Sequence, residues 1–405
     1  MTIGIDASRA NRDFKTGTEW YSYYLIKNFI ELDKESQFIL YSDKKISESF
    51  LKDLKLSERN NVKVKVLKWP FKFFWTLGRM SIEMIFNRPD ILFVPAHVIP
   101  FFSPKKTITT IHDVGFLNNT NLYDSDVVLF ESSFRKKITR FFVKIFTFGK
   151  FSLGSSDYLK WSTVFALKNA KKIITVSNFT RNEILNNYKK VKSDKLVAIY
   201  NGYNNNLYRK IDNQEEIKSV LLNYGIKGNY FLYVGRIEKK KNIKTLLQAF
   251  YCFKEADRDR KYKLVLVGNI GYGYDELKYL IEELDISEDI IMLGWVEESD
   301  MPYLFNASQA FIFPSLYEGF GIPILQAMAC GVPVIASDIE VFKEIGANVP
   351  LFFSKFNDED LYYKMELVDG DKNGREIVIS RGLEYVKNFS WEKCARETLE
   401  EIKNL

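Results

Sequence analysis

The chain of 405 residues is longer than one hydrophobic core ordinarily serves, so two domains are the simplest expectation. Its 46% hydrophobic and 27% charged residues exclude a disordered or fibrous chain, while the 33 Phe and 23 Tyr are numerous for a globular one. The net charge of +6 divides unevenly: 33 Lys and Arg against 19 Asp and Glu through residue 200, then 25 against 33, or +14 and −8.

The three cysteines, Cys252, Cys330 and Cys394, stand far apart without metal or redox spacing and read as reduced, buried thiols. The amino terminus meets Asp6 within six residues, and no apolar run approaches the length that spans a bilayer. The expectation is a cytoplasmic protein with neither signal peptide nor transmembrane helix. Its basic half could attract nucleic acid, phosphorylated substrates or the anionic inner face of the membrane, and charge alone does not choose among them.

In chain order, short apolar runs at 3–6, 38–41, 62–67, 91–94, 107–111, 173–176 and 196–199 alternate with segments of helical period. The alternation resumes at 230–234, 264–267, 290–293, 310–313, 334–336 and 351–353. Parallel strands joined by crossover helices follow, an α/β class. The turn-rich Tyr200-Asn201-Gly202-Tyr203-Asn204-Asn205-Asn206 divides the pattern into Rossmann-like domains at 1–203 and 204–389, with a charged helix at 390–405 free to pack back on the first.

Residues 117–168 interrupt the alternation. Phe134, Ile138, Phe141, Phe142 and Ile145 fall on one helical face, and Lys136, Lys137, Arg140 and Lys144 on another. Such a helix suits a membrane interface and suits equally a core-packed position with a solvated basic face. The aromatic run Trp69-Pro70-Phe71-Lys72-Phe73-Phe74-Trp75 tilts the balance toward lipid.

Only two histidines occur, and His112 closes the run 107–111, followed at once by Asp113. Open α/β sheets place ligands at that edge, although a hydrogen-bonded structural histidine would look the same in sequence. His97, in Pro95-Ala96-His97-Val98, reads as structural.

Val234-Gly235-Arg236-Ile237-Glu238-Lys239-Lys240-Lys241-Asn242 is a strand that ends in glycine and basic residues before a helix. Such a turn can hold a diphosphate leaving group: Arg236 offers a fork and Lys241 a point charge. Alone, it reads more readily as a solvated lysine-rich turn. It is joined by Phe313-Pro314-Ser315-Leu316-Tyr317-Glu318-Gly319-Phe320-Gly321-Ile322-Pro323, which places an acid in a glycine-rich strand-to-helix turn. A phosphate could sit on that helix N-terminus with Glu318 beside the sugar it carries; the bland alternative makes Glu318 a helix cap.

Taken together, Gly235-Arg236, Lys241-Asn242, Leu266-Val267-Gly268, Leu293-Gly294-Trp295, the Pro314 to Pro323 turn and Ala329-Cys330-Gly331-Val332-Pro333-Val334-Ile335 resemble glycosyltransferase family 4, group 1 type enzymes that retain anomeric configuration. Thr16-Gly17, Val94-Pro95-Ala96-His97, His112-Asp113, Val176-Ser177 and Asn201-Gly202 extend the likeness over the first half. The resemblance implies the GT-B fold, two Rossmann-like domains facing a cleft. It implies that Arg236 and Lys241 hold the donor diphosphate, that Glu318 contacts the sugar hydroxyls, and that Gly235, Gly319, Phe320 and Gly321 bring backbone to sugar and phosphate. Gly294, Trp295 and Val296 would line the base pocket, Gly17 the phosphate-side loop, and His112 the transferred sugar, with Asp113 orienting it or meeting the acceptor.

Two departures qualify these roles. The family's second glutamate, separated from the first by seven residues, is replaced by Gln326, which can still bond ribose hydroxyls without the strength of a carboxylate. Weakened donor binding is expected, and with it arises the alternative of a catalytically weak, sugar-nucleotide-binding scaffold in a polysaccharide assembly complex. Near Glu19 a second glycine common in relatives is missing, which bears on the loop at Gly17.

No carboxylate stands out as a covalent nucleophile, in keeping with the same-face attack that the resemblance implies. Asp124-Ser125-Asp126 is similar to a metal motif of the other major glycosyltransferase fold but lacks its context and reads as a surface turn, so neither metal nor cofactor is expected. The expected activity is hexosyl transfer from a nucleotide-sugar, with GDP-mannose favoured, to a saccharide or lipid-linked saccharide acceptor in O-antigen or other cell-surface polysaccharide assembly. No nucleic-acid motif accompanies the basic charge, so no nucleic-acid partner is expected.

Overall fold

The structure, a computed structural model, describes residues 1–69, 75–117, 122 and 155–405. Asp124, Asp126 and the basic amphipathic segment at 134–148 lie outside the described residues, as do 70–74 of the aromatic run.

The chain divides into two compact units, residues Met1–Asn201 with Trp391–Leu405, and Gly202–Ser390. Among its described residues the first is built on seven strands, β1 (Thr2–Asp6), β2 (Gln37–Ser42), β3 (Val62–Val66), β4 (Ile91–Val94), β5 (Thr107–Ile111), β6 (Lys172–Thr175) and β7 (Leu196–Ala198). They lie in the order β3-β2-β1-β4-β5-β6-β7, all parallel. The second holds β8 (Asn229–Val234), β9 (Tyr262–Val267), β10 (Ile290–Gly294), β11 (Ala310–Phe313), β12 (Val334–Ser337) and β13 (Leu351–Phe353), parallel in the order β10-β9-β8-β11-β12-β13. These thirteen strands coincide with the thirteen apolar runs to within a residue or two at each end.

Parallel strands covered on both faces by helices are buried throughout rather than alternating, and β4, β5, β11 and β12 are buried at every position, the Thr107 and Thr109 hydroxyls of β5 donating to the Pro104 and Ala96 carbonyls. One face of the first sheet carries a core of Leu92, Val94, Ile111, Ile173, Met80, Met84 and Ala166. In the second unit the helix Ile243–Ala256 buries Ile243, Leu246, Leu247, Phe250 and Phe253, at helical spacing. Phe253 meets Phe231 of β8 and Tyr262 of β9 edge on, at 5.1 and 5.2 Å between ring centroids. Each such ring contributes about 1.5–3 kcal/mol by leaving water, and Phe253→Ala would cost about 3–5 kcal/mol.

The final helix, Trp391–Lys403, belongs to the first unit and buries Trp391, Cys394, Ala395, Thr398, Leu399 and Ile402 against helix Gly17–Leu32. Ion pairs from Glu401 to Lys172 at 3.0 Å and from Lys403 to Asp33 at 2.9 Å fasten it there. Among the described residues no helix is long and apolar enough to cross a membrane.

Candidate active site

In an open α/β sheet, ligands gather at the carboxyl ends of strands where the strand order reverses. In the second unit that point lies between β8 and β11, neighbours in the sheet although β9 and β10 separate them in sequence. The turn after β8 carries Gly235, Arg236 and Lys241; the turn after β11 carries Ser315 and Glu318.

The two turns touch. Lys241 Nζ donates to Glu318 Oε1 in an ion pair whose side chains are 12% and 14% exposed. Ser315 Oγ donates to the same oxygen at 2.9 Å, and the Leu316 amide donates to the Lys240 carbonyl at 2.9 Å. Lys241 Nζ also lies 5.4 Å from the centre of the Phe313 ring, which shields the ammonium from bulk water. Within the basic run, Lys239 points outward, 44% exposed, while Lys241 turns inward. That inward turn separates Lys241 from the solvated lysine-rich turn which the run alone would suggest.

Glu318 does not cap the following helix, Ile322–Ala329, which starts at Gly321 without a side-chain cap. Its partners are Lys241 and Ser315. Gly321 has φ +102°, and a Cβ there would press on Phe342 at 2.9 Å, so the turn requires glycine. Gly319 and Phe320 are buried in this turn, and Phe320 meets Phe389 edge on at 6.4 Å. Gln326 lies one turn into the helix, partly exposed.

Three strand ends crowd together beside Arg236. Gly235 has φ +154° and its amide donates to Val267 O at 2.9 Å; Gly268 has φ +134° and its amide donates to Gly294 O at 2.7 Å. A Cβ on Gly268 would stand 2.1 Å from Gly235 O. The loop after β9 then pairs with the turn after β8, through Ile237 N to Asn269 O at 2.9 Å, Gly271 N to Ile237 O at 2.8 Å and Lys239 N to Tyr272 O at 3.0 Å. Arg236 lies across Gly271, where a Cβ would meet its Nε at 2.8 Å, and its guanidinium stays 59% exposed with Glu238 at 3.7 Å. Trp295 and Val296 follow Gly294 at the end of β10, with Val296 buried and Trp295 half-buried.

The first unit has its own reversal, between β1 and β4. Asp6 ends β1 and is buried; its Oδ1 accepts from the Ser8 amide at 3.0 Å and the Ser8 hydroxyl at 2.6 Å, which fixes the turn that presents Arg9. Burial raises the Asp6 carboxyl above its usual range in spite of those bonds. Arg9 pairs with Glu19 at 3.0 Å, and Glu19 closes the N-terminus of helix Gly17–Leu32 by accepting from the amide and hydroxyl of Thr16. Burial would lift the Glu19 carboxyl, yet Thr16 and Arg9 together hold it below the usual range. Gly17 is the exposed first residue of that helix.

His112 follows β5, and its Nε2 lies 2.9 Å from Pro95 O. Asp113 accepts from the Gly115 amide at 3.2 Å. Burial holds the His112 imidazole below its ordinary pKa, and the charge of Arg9 works in the same direction. His97 is pushed down to about 4 by burial, with Arg9 again contributing, and its Nε2 is buried without a hydrogen-bond partner.

Sequence reading thus marked Arg236, Lys241, Glu318, His112 and Asp113, and missed Asp6, Arg9 and Ser315. The signal for the first two, an acid ending β1 and an arginine three residues later, becomes visible only when β1 is known to adjoin β4. Among the described residues no three His, Cys, Asp or Glu side chains gather as a metal site.

Two Rossmann-like units, with a cationic turn and an acidic turn joined at the reversal of the second, define the GT-B class of sugar-transferring proteins. Residues 16–207 match Glycosyltransferase Family 4 and residues 213–382 match Glycosyl transferases group 1. The chain belongs to the family 4, group 1 type glycosyltransferases. It is 37% identical over 252 residues to the O-antigen chain mannosyltransferase B of Escherichia coli, covering 61% of this chain and 64% of that protein. With the O-antigen chain mannosyltransferase RfbU of Salmonella typhimurium it shares 28% over 258 residues, 63% of this chain and 62% of that one. The matches therefore span less than two thirds of these relatives' own length. Among solved structures, Anabaena Alr3699/HepE in complex with UDP-glucose superposes with a TM-score of 0.70 at 16% identity, covering 100% and 99% of the two chains. WaaG, a glycosyltransferase involved in lipopolysaccharide biosynthesis, does so with a TM-score of 0.68 at 14% identity, covering 99% of each.

Proposed function

We propose that this protein transfers a hexose, with mannose from GDP-mannose favoured, to a saccharide or lipid-linked saccharide in O-antigen or related cell-surface polysaccharide synthesis. The observation that carries the reading is the meeting of Lys241 and Glu318 at the strand reversal of the second unit. The mannosyl donor is suggested by relatives named O-antigen mannosyltransferases.

In this reading, negative charge grows on the diphosphate as its bond to the sugar breaks. Arg236 supplies a forked donor and Lys241 a compact charge that stabilise it, half-shielded from water where such interactions are strongest. Glu318 accepts from sugar hydroxyls and so fixes the ring, and the amides around Gly319 and Gly321 approach without side chains in the way. Gln326 holds the ribose by neutral hydrogen bonds, and Gly294, Trp295 and Val296 border the base. His112 and Asp113 are the sugar-facing groups at the edge of the first unit. The configuration at the anomeric carbon is retained, the departing phosphate taking the proton of the acceptor hydroxyl, without a metal. The basic first half favours an acceptor held at the anionic inner face of the membrane.

The test is nucleoside diphosphate release by purified protein with GDP-mannose, UDP-glucose, UDP-galactose and dTDP-rhamnose, with and without lipid-linked saccharide acceptor. Release with GDP-mannose foremost supports the proposal, and the anomeric configuration of the product reports retention. Binding of a nucleotide-sugar without release from any donor would instead favour the scaffold.

A further inference from the structure

Tyr21 is fully buried on the inner side of helix Gly17–Leu32. Its ring meets the His112 imidazole edge on, with centroids 4.8 Å apart and planes at 89°. Its hydroxyl hydrogen-bonds Thr110 Oγ1 at 2.9 Å, two residues before His112 on the same stretch of chain. The same ring meets Trp391 at 6.1 Å and 69°, and Trp391 stacks on Tyr24 at 5.2 Å and 12°. Trp391 is the first residue of the C-terminal helix, 5% exposed, and the ion pairs of Glu401 and Lys403 fasten the far end of that helix.

His112 Nε2 is 2.9 Å from the Pro95 carbonyl oxygen. A carbonyl can only accept, so Nε2 carries the hydrogen. Burial favours the neutral imidazole, which has a single N–H, and Nδ1 is therefore left with its lone pair. A half-turn of the ring would bring carbon to the carbonyl and forfeit the bond, so the tautomer lasts only as long as the ring is held.

We infer that Tyr21 is a positioning residue for His112: its rigid ring, backed by Trp391 of the C-terminal helix, holds the imidazole in the one orientation that donates Nε2–H to Pro95 and keeps Nδ1 as acceptor. Nδ1 then suits a hydrogen bond from a sugar hydroxyl, the ligand class the proposed function requires. The inference rests on that function only for the identity of this ligand. The positioning itself is a property of the unliganded protein.

The experiment is long-range proton–nitrogen correlation NMR of the imidazoles in the full chain, together with kcat and KM for hexosyl transfer. The wild type should show His112 with Nε2 protonated and Nδ1 bare. Tyr21→Phe, which keeps the ring, should preserve that pattern and transfer to within about twofold. Tyr21→Leu should give averaged nitrogen shifts and a kcat lower by about tenfold with donor KM little changed; Tyr21→Met, whose unbranched chain adapts to irregular core space, stands in where Leu does not fold. A protonated Nδ1 in the wild type, or an unaltered pattern in Tyr21→Leu and Tyr21→Met, overturns the inference. Averaged shifts with undiminished transfer would leave the positioning standing and remove His112 from the reaction.

Discussion

Lys241 and Glu318 lie 77 residues apart in sequence and meet as an ion pair beyond the carboxyl ends of β8 and β11. The pair does two things. It ties the turns together, and it occupies the ammonium that a diphosphate would need, so an arriving anion competes with Glu318 for the same charge.

That competition predicts opposite effects of one substitution. Glu318→Gln removes the competing charge while preserving shape, and a nucleoside diphosphate should bind severalfold more tightly, as measured by titration calorimetry. Transfer should nevertheless fall by about 10²-fold, because the sugar loses its strongest acceptor. Weaker diphosphate binding in Glu318→Gln would show that the carboxylate supports the anion instead of competing with it.

Gly268→Ala should be among the most damaging substitutions in the second unit. The new Cβ would lie 2.1 Å from Gly235 O, at a φ of +134° that side chains rarely adopt. A loss of about 3 kcal/mol or more is expected, with donor binding lost alongside, since Gly235 carries Arg236. Chemical denaturation of the variant measures the first and nucleotide titration the second; a variant as stable as wild type would refute the close approach.

How much of this was legible in the sequence depends on range. Strands such as Ala310–Phe313 announce themselves as apolar runs, because a strand covered on both faces has no polar side to display. The turns at Gly235 and Glu318 were legible too, since glycine at positive φ and charge after a strand leave a local trace. That Lys241 meets Glu318 while Lys240 folds back to Glu238 and Lys239 stays exposed was not, because three consecutive lysines are equivalent until their partners are in place. Arg9 and Tyr21 escaped for a similar reason. An arginine after a strand and a tyrosine in a helix are unremarkable until the order of strands places them beside His112.

His97 should make the protein sensitive to mild acid. Its folded pKa of about 4 lies below the ordinary 6.5, so as pH falls through this interval the unfolded chain takes up a proton that the folded one refuses. Stability is therefore full above about 6.5 and declines toward 4, by on the order of 3 kcal/mol from this residue. Denaturant midpoints at pH 7 and 5 for wild type and His97→Gln test it, the variant being expected to lose less. Equal losses would assign the acid sensitivity to other groups.

Asp33 works in a lower window. Burial opposes its charge, but the amides of Ser36 and Glu35 and the ammonium of Lys403 outweigh that and hold the carboxyl down to about 2. Its stabilising contribution is present above 3.8 and fades as pH falls through 2. Lys403→Ala should raise the Asp33 pKa, observable by carboxyl NMR, and should loosen the last turn of the C-terminal helix in hydrogen exchange. An unshifted pKa would show that the amides alone hold the charge.

The cationic turn after β8 is the proposed seat of a diphosphate, and titration calorimetry of GDP against wild type, Lys241→Ala and Arg236→Ala tests that role most directly. Loss of one charged contact should weaken binding by about 10- to 100-fold in each variant, with the fold intact by circular dichroism. Wild-type affinity in both variants would contradict it.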